Sequence, residues 1–250
     1  MIALLALRFH ALQPSGALAA WVAGTLAVGA GWDWGIYLVV YFVAASALSR
    51  YGAAHKARVS AGRVARPGAR DAIQVVANGG VYMLAAGAHI LDPSLIWIAA
   101  GAGALAASAA DTWATEVGSL SHGPARSIVS LAPVFTGTSG GITMLGLVAS
   151  AAASGFAALV ALMVGWSAAV AIAALAGGVV GSLLDSVIGA TAQARWWCDS
   201  CAMDTESRRH SCGAITRHVG GWRWLNNDGV NLAATIAGAA AAMLCVVLLP

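Results

Sequence analysis

Seven apolar stretches, each close to the length that spans a lipid bilayer, are the feature that most limits what this 250-residue chain can become. They fall at about 14–31, 34–50, 73–90, 94–110, 140–163, 167–190 and 229–249. An α-helix needs about 20 apolar residues to cross the hydrocarbon core, where it must satisfy its own backbone hydrogen bonds. Composition agrees: 60% of residues are hydrophobic, 9% are charged and mean hydropathy is +0.79. A soluble domain carries roughly 25% charged residues, so this chain has too few to cover a water-facing surface. Thirty glycines suit helices that pack through small residues. The expected fold is all-α, a polytopic transmembrane bundle of six to seven spans forming one integral membrane domain over residues 1–250. The apolar start lacks a basic leader and is broken by Arg8 and His10, so it reads as a short arm rather than a signal peptide.

The connections alternate. Those near residues 32, 92 and 165 are tiny and contain no Lys or Arg, whereas those at 51–72, 111–139 and 191–228 are long and polar. With seven spans, all 13 basic residues lie on one side, among them Arg8, Arg50, Lys56, Arg58, Arg63, Arg66, Arg70 and Arg126. The positive-inside rule makes that side cytoplasmic, with the N-terminus inside, and places the protein in the plasma (inner) membrane. The net charge of +3 offers no case for nucleic acid. Tryptophans near both boundaries suggest two aromatic belts: Trp32, Trp34, Trp97 and Trp166 on one side, Trp113, Trp196, Trp197, Trp222 and Trp224 on the other. The histidines His55, His122 and His218 carry no signal of their own.

Ionisable groups in a span cost roughly 2.5–3.5 kcal/mol at the membrane centre on insertion scales, so each needs a reason. Asn78, Asp111, Asp185 and the Asn226-Asn227-Asp228 run with Asn231 all fall in the half of their spans nearest the long loops, with Thr115 and Glu116 continuing outward from Asp111. Gly177, Gly181 and Asp185 share a helical face, where the glycines admit a close neighbour. Taken singly, such groups can cap or join helices. Converging at one depth without a nearby Lys, carboxylates and carboxamides suit a hard cation such as Mg²⁺. Asp111, Glu116, Asp185 and Asp228 are the candidate metal ligands, with Asn227 and Asn231 orienting phosphate or metal-bound water. Gly137, Thr138, Ser139, Gly140 and Gly141 precede the fifth span and could cradle a phosphate with backbone N–H groups. The Gly-Lys-Ser/Thr ending of a P-loop is missing, and the plainer reading is a turn with Ser139 as helix cap.

Within the 191–228 loop, Cys198, Cys201, His210 and Cys212 could hold a structural Zn²⁺ tetrahedrally; free thiols or a redox pair are the alternatives. Cys245, in the last span, reads as packing.

Four ordered blocks carry a resemblance: Asp111-Thr-Trp-Ala-Thr-Glu116-Val-Gly-Ser119, Pro133 through Gly141, Gly181-Ser-Leu-Leu-Asp185-Ser-Val-Ile-Gly-Ala190, and Trp224-Leu-Asn-Asn-Asp-Gly-Val-Asn231. From about residue 14 to the C-terminus the chain resembles the integral-membrane family, long labelled a domain of unknown function, that includes plant phytyl-phosphate kinase. That resemblance implies phosphoryl transfer from a nucleoside triphosphate to an isoprenyl monophosphate, with Mg²⁺, the nucleotide and the lipid phosphate as partners. Arg126 is then the expected cation for developing charge. A transporter or lipid flippase is the alternative, although such proteins place polar groups at the midplane or on both sides. A non-catalytic scaffold leaves the clustered carboxylates unexplained. A CDP-alcohol phosphotransferase lacks its Asp-rich helix here.

Overall fold

A computed structural model describes residues 2–53 and 68–249. His55, Lys56, Arg58, Arg63 and Arg66 lie outside the described residues. Eight helices occupy the described chain: α1 (Ile2–Arg8), α2 (Pro14–Ala30), α3 (Trp32–Arg50), α4 (Ala72–Leu91), α5 (Leu95–Gly118), α6 (Met144–Met163), α7 (Ala168–Thr191) and α8 (Asn227–Leu248). Helices α3 to α8 are each long and apolar enough to cross a membrane, and α2 is a shorter apolar helix. The protein is a polytopic helical membrane protein, with each expected span matched by one helix.

The helix starts follow local chemistry. Asp71 accepts from the Gln74 backbone N–H while the Gln74 side chain accepts from the Asp71 N–H, a reciprocal capping box that opens α4. Ser94, Ser167 and Asn226 cap α5, α7 and α8. Helix α6 is capped by Thr143, not by Ser139 as the sequence suggested.

Helix α5 is the axis of the bundle. Every residue from Ala99 to Ala110 is buried, and α3, α4, α6, α7 and α8 all pack on it. The stretch is alanine, glycine, one leucine and one serine, so neighbours approach on all sides, as befits a helix apolar around its whole circumference. The closest approach joins three helices. A Cβ on Gly177 of α7 would lie 2.5 Å from the Gly238 carbonyl oxygen of α8 and 2.8 Å from the Gly103 Cα of α5.

At the end holding the short connections, Trp34, Tyr37, Tyr82 and Trp166 are buried together. The Tyr82 hydroxyl donates to the Trp34 carbonyl at 2.6 Å, and the Trp166 indole N–H donates to Asp33. The sequence placed Trp34 and Trp166 in a lipid-facing belt. They instead fill the junction of three helical turns, 0% and 7% exposed, because Asp33 gives the Trp166 indole a half-buried partner and the aromatic rings pack on one another. Trp32, 76% exposed, keeps the belt position.

The opposite end is built from the long loops. Strands β1 (Ala125–Ser127), β2 (Pro133–Val134) and β3 (Gly141–Ile142) form one antiparallel sheet in the order β2-β1-β3. Strands β4 (Arg195–Cys198), β5 (Met203–Thr205) and β6 (Arg217–Gly220) form a second in the order β5-β4-β6. The first sheet ends at Gly140, whose φ of +72° is left-handed. A Cβ there would strike the Ser186 carbonyl oxygen and the Ala190 backbone on α7, so this glycine lets the loop seat directly on the helix that carries Asp185. All nine described arginines belong to this loop end, counting those at the ends of α1 and α3.

Candidate functional site

Two half-buried carboxylates meet across the bundle. Asp111 lies in the last two turns of α5 and Asp185 in the last two turns of α7. Their side chains are within hydrogen-bonding range of each other. Ionised carboxylates only accept hydrogen bonds, so at this range the two repel each other unless a proton or a cation is shared between them. Asp185 Oδ2 is buried and receives no hydrogen bond from a donor among the described residues. The helices that bring the pair together are those clamped at Gly103, Gly177 and Gly238. Next along α7, Gly181 packs on Ala107 of α5 and the Ala234 carbonyl of α8.

A third carboxylate arrives from the second sheet. Glu206, just after β5, is close enough to act electrostatically on both aspartates. Its position is fixed by donors from two other segments: the Ser139 hydroxyl at 2.6 Å and the Gln193 amide at 2.8 Å. Thr138 donates to Asp204 in the same interface. The Gly137–Gly141 segment expected to cradle phosphate thus spends Ser139 on Glu206 and Gly140 on packing against α7. It belongs to the site as the carboxylate's support.

Glu206 also lines a cavity of about 290 Å³ that is bordered by Gln74, Trp196, Arg208, Arg223, Trp224, Asn226, Asn227 and Asp228. Asp228 is buried in the first turn of α8, where the helix dipole favours an anion, and the Asn226 amide donates to it at 3.4 Å. Trp222 and Trp224 stack with centroids 5.3 Å apart, and the Arg208 guanidinium lies 5.4 Å from the Trp196 ring. The structure therefore joins Asp111, Asp185 and Glu206 in one cluster, and Asn227, Asp228 and Glu206 around one cavity. Glu206 is the member common to both.

Other expected residues stand elsewhere. Glu116 is five residues beyond Asp111, roughly 140° around the helix at 3.6 residues per turn. Asn231 is half-buried in α8, one turn beyond Asn227. Arg126, on exposed β1, donates to the Leu131 carbonyl at 2.9 Å and braces its own hairpin; Arg208 and Arg223 are the cations at the cavity. Asn78 ends a relay in which Tyr41 contacts Ser108 at 2.6 Å and Ser108 donates to Asn78 at 2.7 Å. An apolar groove lined by Tyr41, Ala109, Trp113 and Phe156 runs along α5. Ala109 and Trp113 are four residues apart and share a face roughly opposite that of Asp111, so the groove does not open on the carboxylates.

Glu206, Arg208 and Arg223 were not singled out from sequence. They sit in an aperiodic loop, and only the folded sheet carries them to the bundle.

Beside this sheet, Cys198, Cys201, His210 and Cys212 present ligand atoms that all lie within 4.8 Å of one another. The Cys198 and Cys212 sulfurs are 3.7 Å apart, and His210 Nδ1 is 3.2 Å from Cys212 Sγ. All four cysteines are free thiols. Hydrogen bonds from the Ala214 backbone, then His210 and Cys201, bring the Cys212 thiol down to about 6, whereas its bond to Cys212 leads in raising Cys201 to about 11. Cys245 packs beside buried Ala99, Ala173 and Ala242, as expected.

Fold and site together define a multi-pass helical membrane protein with a carboxylate cluster and an arginine-bearing cavity at one end of its bundle. The chain belongs to the integral membrane protein DUF92 family, whose pattern matches residues 1–239. It is 30% identical to Protein PGR of Arabidopsis thaliana, covering 92% of this chain and 88% of that protein. It is 32% identical to a Synechocystis membrane protein over 93% of this chain and 81% of the relative. A Methanocaldococcus jannaschii membrane protein is 26% identical over 95% and 87%. No solved structure matches the chain.

Proposed function

We propose that this protein is an isoprenyl-phosphate kinase of the cytoplasmic membrane surface, transferring the γ-phosphoryl group of a nucleoside triphosphate to an isoprenyl monophosphate. The observation that carries the reading is the double membership of Glu206. One side of it faces the half-buried Asp111–Asp185 pair, and the other faces a cavity with two arginines. An anionic substrate beside three carboxylates is repelled unless a cation lies between them. The all-oxygen set of Asp111, Asp185 and Glu206, with Asp185 Oδ2 receiving no hydrogen bond from a donor among the described residues, fits a hard divalent ion. Such an ion, Mg²⁺ in this reading, would neutralise phosphate charge there.

The protein's own groups account for the rest. Arg208 and Arg223 bind phosphate oxygens in the cavity, while Trp196 and Trp224 supply rings for a base to stack on. Asp228 and Asn227 bound the same space. Transfer breaks the bond between the γ-phosphorus and the β,γ-bridging oxygen and forms one to an oxygen of the acceptor monophosphate. The products are a nucleoside diphosphate and an isoprenyl diphosphate. The acceptor oxygen is already anionic, so positioning and charge neutralisation suffice and no strong general base is required. The arginines at the loop end favour a cytoplasmic placement for that end.

The test is phosphate transfer by the detergent-purified protein supplied with Mg²⁺, four labelled nucleoside triphosphates, and phytyl or geranylgeranyl monophosphate. A labelled diphosphate product that is lost in Asp185→Asn is expected. No product with any donor, from folded protein, refutes the kinase for these substrates. The contact between two carboxyl groups inside spanning helices favours a second reading, cation- or proton-coupled transport. Uptake by proteoliposomes in the absence of nucleotide, abolished by the same substitution, would establish it instead.

A further inference from the structure

We propose that Cys198, Cys201, His210 and Cys212 bind one Zn²⁺ ion, and that this ion holds Glu206 against the Asp111–Asp185 pair. The ligands come in twos from consecutive turns. Cys198 closes β4 and pairs with Met203, so Cys198 and Cys201 flank the β4–β5 turn, where Ala202 takes a left-handed φ of +50°. His210 and Cys212 flank the next turn, closed by the His210 N–H on the Ala214 carbonyl and by the Arg209–Ile215 bridge, with Gly213 at φ +89°. Two turns each offering two ligands to a common point is how a small sheet builds a tetrahedral site.

The spacing has the right scale. Zn–S bonds of about 2.3 Å at tetrahedral angles put sulfurs roughly 3.8 Å apart, close to the 3.7 Å between Cys198 and Cys212. A disulfide requires about 2.05 Å. His210 and Cys198 are buried, which presents their donors from beneath, and Cys201 and Cys212 close the site from the surface. The segment also has little else to hold it. Between Cys198 and Thr216 its buried residues are Cys198, Thr205, His210 and Thr216, with no large aliphatic or aromatic side chain among them. A polar segment of this size needs a staple.

Glu206 lies between the two ligand pairs in sequence. Its bonds to Ser139 and Gln193 reach out of the segment to the β2–β3 loop and the residues just after α7. Fixing both flanking turns thus fixes the carboxylate. The zinc assignment stands whatever reaction the carboxylates serve.

Metal content of the full chain, purified in detergent under reducing conditions, tests the ion directly. About one zinc per chain is expected, falling to background in Cys201→Ser/Cys212→Ser, which alters only the two exposed ligands. Cobalt exchanged into the wild type should show the visible absorption of a tetrahedral thiolate site. Iron in place of zinc, a disulfide among these cysteines, or no binding of zinc or cobalt by folded protein would overturn the site. Removing the ion with a strong chelator should then speed tryptic cleavage after the exposed Arg208 and Arg209 several-fold, with re-added zinc reversing it. Unchanged cleavage, with zinc demonstrably removed, would overturn the positioning of Glu206 by the metal. Neither readout depends on kinase activity.

Discussion

Replacing Gly177 with valine tests whether three backbones really meet at one point. The Cβ would fall 2.5 Å from the Gly238 oxygen and 2.8 Å from the Gly103 Cα, where ordinary contact begins at 3.4 Å. The shortfalls, about 0.9 and 0.6 Å, are against main chain on two different helices, which cannot swing aside as a side chain can. Helix α7 must shift away from both α5 and α8. Overpacking of this kind costs about 1–3 kcal/mol, and the two added methyl groups put valine at the upper end. The gain in helix propensity over glycine returns only about 0.4 kcal/mol. A net loss of about 2–3 kcal/mol lowers the melting temperature by roughly 4–12 °C for a chain of this size. Gly155→Val is the control, because nothing lies within 4 Å of a Cβ at Gly155. Both variants would be melted in the same detergent at one scan rate, since membrane proteins often unfold irreversibly. If Gly177→Val melts within about 2 °C of Gly155→Val, the three-helix contact is not as tight as described and the clamp behind Asp185 fails with it.

Three further outcomes follow from contacts already given. Glu206→Gln keeps a side chain that Ser139 and Gln193 can bond but removes the charge, so stability should change by less than about 1 kcal/mol. Added Mg²⁺ is expected to raise the melting temperature of the wild type, and this increase should largely vanish in the variant. Asp71→Ala dismantles the capping box of α4 and should cost about 1 kcal/mol, read as a melting shift of roughly 2–4 °C. Tyr82→Phe removes the hydroxyl that bonds the Trp34 carbonyl. It should cost about 1 kcal/mol and alter the fluorescence of the buried Trp34–Trp166 pair.

Hydropathy located the helices because the bilayer admits so few backbone solutions. The apolar run 73–90 becomes Ala72–Leu91, and 167–190 becomes Ala168–Thr191. Where the estimate ran short, as in 94–110 against Leu95–Gly118, the charge of Asp111 ended the apolar run while the helix continued. The convergence of Asp111 and Asp185 was legible, since topology fixes depth and Gly177 and Gly181 mark the face on which a neighbour can approach. Glu206 was not legible. A carboxylate in an aperiodic loop looks like any solvated charge until a sheet and two donors from distant segments bring it to the bundle. The misplaced tryptophans have a similar origin: a belt is the usual fate of an indole near a boundary, and only the pairing of Asp33 with Trp166 distinguishes this case.

The short connections have a consequence for how the chain enters a bilayer. Helices α2 and α3 are separated by Gly31 alone, α4 and α5 by residues 92–94, and α6 and α7 by residues 164–167. Those links carry no Lys or Arg. Each of the three pairs can therefore insert as a ready-made hairpin, dragging only a few neutral or acidic residues through the hydrocarbon. Both sheets and every described arginine lie at the opposite end of the bundle from these links, so hairpin insertion leaves the cysteine turns and the carboxylate cluster together on one side of the bilayer.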